Sequence, residues 1–172
     1  MATIIRKAVL SDAPSIGKVH VESWRITYKG IIPSSYLDNL NPASSAKKFE
    51  ADILDGSKKR FVYVAEVDKA VVGFAIGGPE RESSKEDAGE VYAIYILRDF
   101  QGQGVGRELL SACREEFLDR DFEKMNLYVL ADNPYQRFYE SAGGVLESHE
   151  GFIEIGGQKF KLFKYVWDLT KK

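Results

Sequence analysis

The residues best able to do chemistry stand together at Gln101-Gly102-Gln103-Gly104-Val105-Gly106. The glycines remove side chains and permit backbone angles that other residues avoid. A helix is expected directly after them, because Val105, Leu109, Leu110, Cys113 and Phe117 fall on one helical face. The first-turn N–H groups of a helix have no partner within it. They point outward and favour an anion, a phosphate above all. Two common phosphate motifs do not fit. The dinucleotide fingerprint counted from Gly102 needs glycine where Arg107 stands, and a P-loop needs glycine and lysine where Arg107 and Glu108 stand. The pattern present is Q-x-x-G-x-G, carried by Gln101, Gly104 and Gly106. A lone glycine trio reads as an ordinary strand-to-helix turn. The elements on either side favour an anion cradle instead.

Those elements follow from periodicity and breakers. Glu90 to Leu97 is apolar or aromatic at nearly every position after Glu90, as in a strand buried on both faces. Upstream, Ile4 to Ala8 reads as a strand. Ser11-Asp12 offers an N-cap for a helix from about Ala13 to Tyr28. A short helical piece is expected through Tyr36, Leu37 and Leu40, and another helix over Ser44 to Leu54. Arg60 to Glu66 and Ala70 to Ile76 form a hairpin, ended by Gly77-Gly78-Pro79. Glu80 to Gly89 is a charged, exposed loop. The glycine-turn helix runs to about Arg120, and Lys124 to Leu130 is a strand. Asn133-Pro134 starts a helix closed by Gly143-Gly144, with Asn133 as a possible N-cap. Val145 to Ile155 and Lys159 to Asp168 are strands joined at Gly156-Gly157. This order favours an α/β or α+β fold on a mixed sheet.

Composition narrows the function. The chain has 172 residues, 44% hydrophobic and 29% charged, enough for one domain over residues 1–172 with a real core. Twenty-four basic against 26 acidic residues give a formal charge of −2, which argues against nucleic-acid binding by bulk charge and against a polybasic membrane anchor. The one cysteine, Cys113, permits no disulfide framework and no cysteine-based zinc site. Its place on the apolar helix face reads as packing. No apolar run reaches the roughly 20 residues of a membrane span. The opening Met1-Ala2-Thr3-Ile4-Ile5-Arg6 lacks a signal peptide's pattern. A cytoplasmic location is expected.

Taken together, Glu90-Val91-Tyr92-Ala93-Ile94-Tyr95-Ile96-Leu97, the turn at Gln101 to Gly106, and Asn133-Pro134-Tyr135-Gln136-Arg137-Phe138-Tyr139-Glu140 resemble the GNAT superfamily of N-acetyltransferases. Ile5-Arg6-Lys7-Ala8 with Asp12 adds a weaker match, and element order agrees over essentially the whole chain. The resemblance implies a GNAT fold: a mostly antiparallel mixed sheet of six to seven strands, about four flanking helices, and a splayed pair of parallel strands at the cofactor site. It implies acetyl-CoA as co-substrate and no metal. The backbone over Ile94, Tyr95 and Ile96 would pair with the pantetheine arm as an added strand does. The N–H groups of Gln101, Gly102, Gln103, Gly104, Val105 and Gly106 would hold the pyrophosphate. Asn133 would sit near the amide arm, or serve only as a cap. Tyr139 matches the tyrosine that protonates the leaving thiolate, beside the simpler role of a core aromatic. Glu90 matches a glutamate base found in some members, or is a solvated strand-end carboxylate. Tyr92 could support a water chain in its place.

The resemblance also bears on the acceptor. His20, Trp24 and Tyr28 share a stripe on the first helix, beside a core-facing stripe of Ile16, Val19 and Ser23. Trp24 and Tyr28 could hold an amine by face contact, or form the edge of the core. Trp24 to Pro33 and the ending Tyr165-Val166-Trp167-Asp168-Leu169 resemble one bacterial-type branch with varied acceptors. Gly143-Gly144 departs from a family pattern of glycine followed by an aromatic. The expected activity is acetyl transfer to a primary amine of a small molecule, such as a polyamine, amino acid or amine-bearing drug. A protein N-terminus or lysine is the second acceptor class. A non-catalytic acyl-CoA-binding regulatory domain is the rival, and a homodimer through the C-terminal strands is possible.

Overall fold

The computed structural model describes residues 2–83 and 87–171. Met1, Lys172 and residues 84–86, part of the loop expected over 80–89, lie outside it. The described chain runs β1 (Thr3–Lys7), α1 (Ala13–Thr27), α2 (Ser34–Asn39), α3 (Pro42–Ile53), β2 (Phe61–Val67), β3 (Ala70–Pro79), β4 (Ala88–Ile96), α4 (Val105–Asp119), β5 (Lys124–Leu130), α5 (Gln136–Ser141), β6 (Val145–Ile155) and β7 (Gln158–Asp168). The strands form one seven-stranded sheet in the order β1-β2-β3-β4-β5-β7-β6. Every neighbouring pair is antiparallel except β4 and β5. That parallel pair is joined by four register positions, Ala88–Lys124 to Val91–Leu127, and then ends. The expected fold stands, with five α-helices where about four were expected.

Both sheet faces are covered, which explains the apolar strands. Ile16, Val19 and Phe49 of α1 and α3 pack on Val62, Val64, Phe74 and Ile76. On the other face Leu109, Cys113 and Phe117 of α4 pack on Phe61, Val91 and Ile94. A third cluster, including Tyr28, Ile32, Leu37, Leu130 and Phe160, ties the end of α1 and α2 to the β6–β7 hairpin. Cys113 is fully buried in the second cluster, as its place on the helix face implied.

Several local expectations change; β4, for one, begins at Ala88, so the end of the loop expected over Glu80 to Gly89 is buried strand. β3 does not end at Gly77 but continues through Gly78 to Pro79. A Cβ on Gly77 would stand 2.6 Å from the Phe61 ring, and one on Gly78 2.7 Å from the Tyr92 hydroxyl. These glycines make room for rings within a strand and do not turn the chain. Next, α3 begins at Pro42 because Asn41 Oδ1 accepts from the N–H groups of Ala43 (2.8 Å) and Ser44 (3.1 Å). Finally, Asp12 precedes α1 without capping it. Its carboxylate accepts from Arg6 Nη1 at 2.7 Å, Arg6 Nη2 at 3.0 Å and the Val9 N–H at 2.8 Å. The guanidinium across from the helix start takes the oxygens that a cap would use.

This pairing fixes β1 to the entrance of α1 and makes stability depend on pH. The Arg6 guanidinium holds the Asp12 carboxyl below its ordinary pKa; burial opposes this, and the Val9 N–H adds to it. A folded-state pKa below the unfolded value contributes stability that is complete above the unfolded value. It is lost as pH falls through the folded one. Asp12→Asn is therefore expected to cost about 1–3 kcal/mol at neutral pH. The gap from the parent protein should close as pH falls below about 3.9. Urea unfolding of both proteins across pH 2.5–7 checks this, and a gap that widens toward acid would refute it.

Candidate active site

The site begins at an irregularity in β4. Ile76 of β3 pairs with Ala93, but the next residue, Gly77, pairs with Val91, so Tyr92 is an extra residue. Such a bulge kinks a strand and resets its alternation. Tyr92 and Ala93 therefore both pack with the α1–α3 cluster, while Val91 and Ile94 both pack with the α4 cluster. Pairing with β5 stops at Val91–Leu127, beside the bulge. Beyond it β4 continues to Ile96 and β5 to Leu130, each with one margin no longer paired to the other. The sheet forks there, and a cleft of about 410 Å³ opens along the fork.

One wall of the cleft is Ile94, Tyr95 and Ile96 of β4; the other is Asn133, Tyr135, Phe138 and Tyr139 around α5. The glycine turn closes one end. Gln101 Nε2 donates to the Ile96 carbonyl at 3.0 Å, pinning the turn to the strand. Gly102 (φ +72°) and Gly104 (φ +89°) take left-handed angles that only glycine adopts freely. A Cβ at Gly102 would meet nothing within 4 Å, and one at Gly104 only Glu108 Oε1 at 3.9 Å, so the space over the turn is open. Gly106 serves packing: a Cβ there would stand 2.8 Å from Phe138 Cζ and 3.1 Å from Ile96 Cδ1. Thus α4 starts close against both walls and presents the unpartnered N–H groups of its first turn at the cleft.

Not every expected residue faces this space. Gln103 donates to the Asp99 carbonyl at 2.8 Å, and the side chain of Val105, the first residue of α4, is buried. Both belong to the turn by backbone alone. Tyr139 lines the cleft; burial, then Tyr28 and Tyr165, push its phenol well above the ordinary value. Asn133 also lines it, with both polar atoms of its amide bonded within the protein. Its Oδ1 accepts from the Tyr135 N–H at 2.8 Å and its Nδ2 donates to the Tyr28 hydroxyl at 3.2 Å. Asn133 is thus not the cap of α5, which starts only at Gln136. It ties the end of α1 to the α5 wall. Trp24 and Tyr28 stand behind that wall, their rings 4.9 Å apart, in the third core cluster. Of the expected acceptor stripe, neither ring lines the cleft. His20 lies further along the stripe, bonded through Nδ1 to Ser45 Oγ at 2.6 Å and driven to a pKa of about 4 by burial, then by Lys48.

Glu90 and Tyr92 are also absent from the cleft lining. Glu90 lies one residue before the fork, only 2% exposed, with its carboxylate bound by Arg81 at 2.8 Å. The Tyr92 hydroxyl donates to the Pro79 carbonyl. Conversely, the cleft uses residues that periodicity did not single out for it. Ser23 and Thr27 of α1 line it, and the Ser23 hydroxyl is buried without a partner. Their i, i+4 spacing on an otherwise apolar face was the available signal. Arg107 brings a cation to the rim, tethered to the Ser141 carbonyl at 3.2 Å. Its place directly after Gly106 was the signal there. Among the described residues no three His, Cys, Asp or Glu side chains converge as a metal site.

A mixed sheet that forks between parallel strands, with an open glycine turn and a helix N-terminus at the fork, leaves a cleft shaped for an extended ligand with an anionic end. Comparison with known proteins supplies the family. The chain belongs to the acetyltransferase (GNAT) family, whose model matches residues 22–144, and it is an acyltransferase. It is 39% identical to the uncharacterized N-acetyltransferase YuaI of Bacillus subtilis (strain 168), over 95% of this chain and 91% of that one. Its fold is that of PaiA N-acetyltransferase from Thermoplasma acidophilum, solved in complex with coenzyme A. The TM-score is 0.77 and the identity 20%, covering 95% of this chain and 98% of that one. YncA of Salmonella typhimurium, solved with its cofactor acetyl-CoA, superposes with a TM-score of 0.74 at 21% identity, covering 100% and 96%.

Proposed function

We propose that this protein moves the acetyl group of acetyl-CoA directly to a primary amine of a small molecule, as one domain over residues 1–172 acting in the cytoplasm. The fork carries the reading. It offers an unpaired strand margin at Ile94 to Ile96, and a strand-like amide arm can pair with it. The fit extends to the turn. The open space over Gly102 and Gly104 admits a pyrophosphate against the first-turn N–H groups, and Arg107 adds a cation at the rim.

When bound, acetyl-CoA supplies the activated acetyl thioester. The chain's own work is positioning and polarisation. Free N–H groups of β4 near Ile94 are available to polarise the thioester carbonyl. The walls hold acetyl and amine together, which converts a bimolecular encounter into an intramolecular one. Tyr139 stays protonated at neutral pH and donates a hydrogen bond to the departing sulfur. Full transfer of its proton is uphill, so the proton shed by the amine is the one that finally resides on the thiol. Glu90 is held by Arg81 and is not assigned the base. No helix among the described residues is long and apolar enough to cross a membrane. The edge strand β6 exposes Val145, Leu146, Phe152 and Ile153, and a homodimer through it belongs to this reading.

The test is calorimetric titration with acetyl-CoA of the parent protein and of Gly104→Glu. The variant sets a carboxylate in the open cradle and a side chain at a positive φ. Saturable binding by the parent is expected, with affinity reduced on the order of tenfold or more in a variant that still unfolds cooperatively. No binding by the parent sinks the proposal. Thiol release with a panel of small amines, peptide N-termini and lysine peptides then separates the acceptor classes.

A further inference from the structure

A second polar site lies on the α1 face of the sheet, directly before the fork. Its centre is Glu90, a carboxylate that is 2% exposed. Among the described residues its hydrogen bonds come from Arg81: the backbone N–H at 3.1 Å and Nε at 3.2 Å to Oε2, and Nη2 at 2.8 Å to Oε1. The Arg81 side chain is itself 55% exposed. Its guanidinium lies 4.5 Å from the centre of the Tyr92 ring. The register partner of Glu90 on β5 is Asn126, also 2% exposed, whose Oδ1 is buried with no hydrogen-bond partner. Of the charges nearby, Glu82 also acts on Arg81, and the Arg60 guanidinium lies 5.1 Å from the centre of the Tyr92 ring. Lys164 and the Tyr128 hydroxyl bind Glu80 at 3.1 and 2.8 Å, and Arg60 binds Asp52 at 2.8 Å.

A buried carboxylate, an aromatic face and a bare amide oxygen share one preference. Carboxylate and amide oxygen accept hydrogen bonds, and the ring face attracts positive charge. Such a site fits an ammonium or guanidinium. An unpaired carboxylate there would be costly, so the site does not stand empty. Resting on the reading of the fork as the acyl-transfer site, we propose that Glu90, Asn126 and Tyr92 form a cation subsite for the acceptor, filled between turnovers by Arg81 as an internal surrogate. The amine that is acetylated must be uncharged to attack, so the cation held at Glu90 is a different nitrogen of the same molecule. The acceptor class is therefore a diamine or longer polycation. From Glu90 to Ile94 such a chain has at most about 13 Å of strand to follow.

Arg81→Gln removes the surrogate and leaves the subsite. The probes are spermidine, butylamine and glutamate, with KM for each and for acetyl-CoA, and with spermidine also titrated by calorimetry. Arg81→Gln is expected to lower the spermidine KM and Kd about tenfold. Butylamine and acetyl-CoA should be unchanged. Arg81→Lys keeps a cation in place and should behave as the parent. Glu90→Gln should raise the spermidine KM by a similar factor; if it fails to fold, Arg81→Gln carries the test, with urea unfolding measured alongside to show that it folds despite the unpaired Glu90. Unchanged spermidine binding in Arg81→Gln, an equal change for spermidine and butylamine, or a preference for glutamate overturns the subsite. Failure of the parent to bind acetyl-CoA is a separate result and overturns the acyl-transfer reading itself.

Discussion

Tyr139→Phe is expected to lower kcat about 10²–10³-fold while leaving acetyl-CoA affinity and the unfolding midpoint unchanged. The substitution keeps the ring and its packing against Phe138 and Tyr165, whose centres lie 5.3 and 5.6 Å away. Only the hydroxyl at the cleft wall is lost. A loss of 10² corresponds to about 2.7 kcal/mol in the barrier, more than a packing role for one oxygen would supply. Because burial raises the phenol's pKa, the parent's activity should show no loss from Tyr139 ionisation anywhere near neutrality. Steady-state kinetics with calorimetric binding makes the comparison. A kcat within threefold of the parent would return Tyr139 to the role of a core aromatic.

Phe117→Ala is expected to cost about 3–5 kcal/mol of stability and to weaken acetyl-CoA binding as well. Phe117 is fully buried on a seat made by two glycines in neighbouring strands. A Cβ on Gly89 would stand 2.2 Å from its Cε1, and one on Gly77 3.2 Å from its Cζ. The ring also meets Phe61 and Phe122 edge-on at 5.2 and 5.6 Å. This seat anchors the far end of α4, and the near end of α4 carries the glycine turn. Urea unfolding with Leu118→Ala as the control checks it. Leu118 is the next residue, 41% exposed, and its truncation should stay within about 0.5 kcal/mol. Equal effects at the two positions would contradict the seat.

The same two regions show where the sequence is legible. Gly102 and Gly104 advertise a turn, and they make one, because their angles are needed locally. The amphipathic face of α4 reads correctly for the same reason: its period is a property of the segment itself. Gly77 and Gly78 carry the same letters with a different cause, the rings of Phe61 and Tyr92 arriving from elsewhere in the chain. No local rule separates the two uses. The fork is likewise invisible in β4, whose apolar run gives no sign of the extra residue at Tyr92 or of where β5 stops pairing. Tyr139 and Asn133 were found as members of a motif, yet the link from Asn133 to Tyr28 spans 105 residues. Glu90 comes from the family resemblance, but Arg81, the group that holds it, lies across a strand connection and carries no periodic signal.

The short ladder between β4 and β5 has a mechanical meaning. On one side lie β1 to β4 with α1 and α3; on the other, β5, β7 and β6. Four register positions are the whole direct strand pairing between these two blocks, and the cleft prolongs the line along which they meet. The molecule thus has a seam, and the cleft runs along it. A molecule paired to β4 and packed on α5 acts as stitching across that seam. By mass action it stabilises the joined form by RT ln(1 + [L]/Kd). On the proposed function, the halves are stiffest when the cleft is filled, and release of product is the moment at which the sheet regains its freedom to flex.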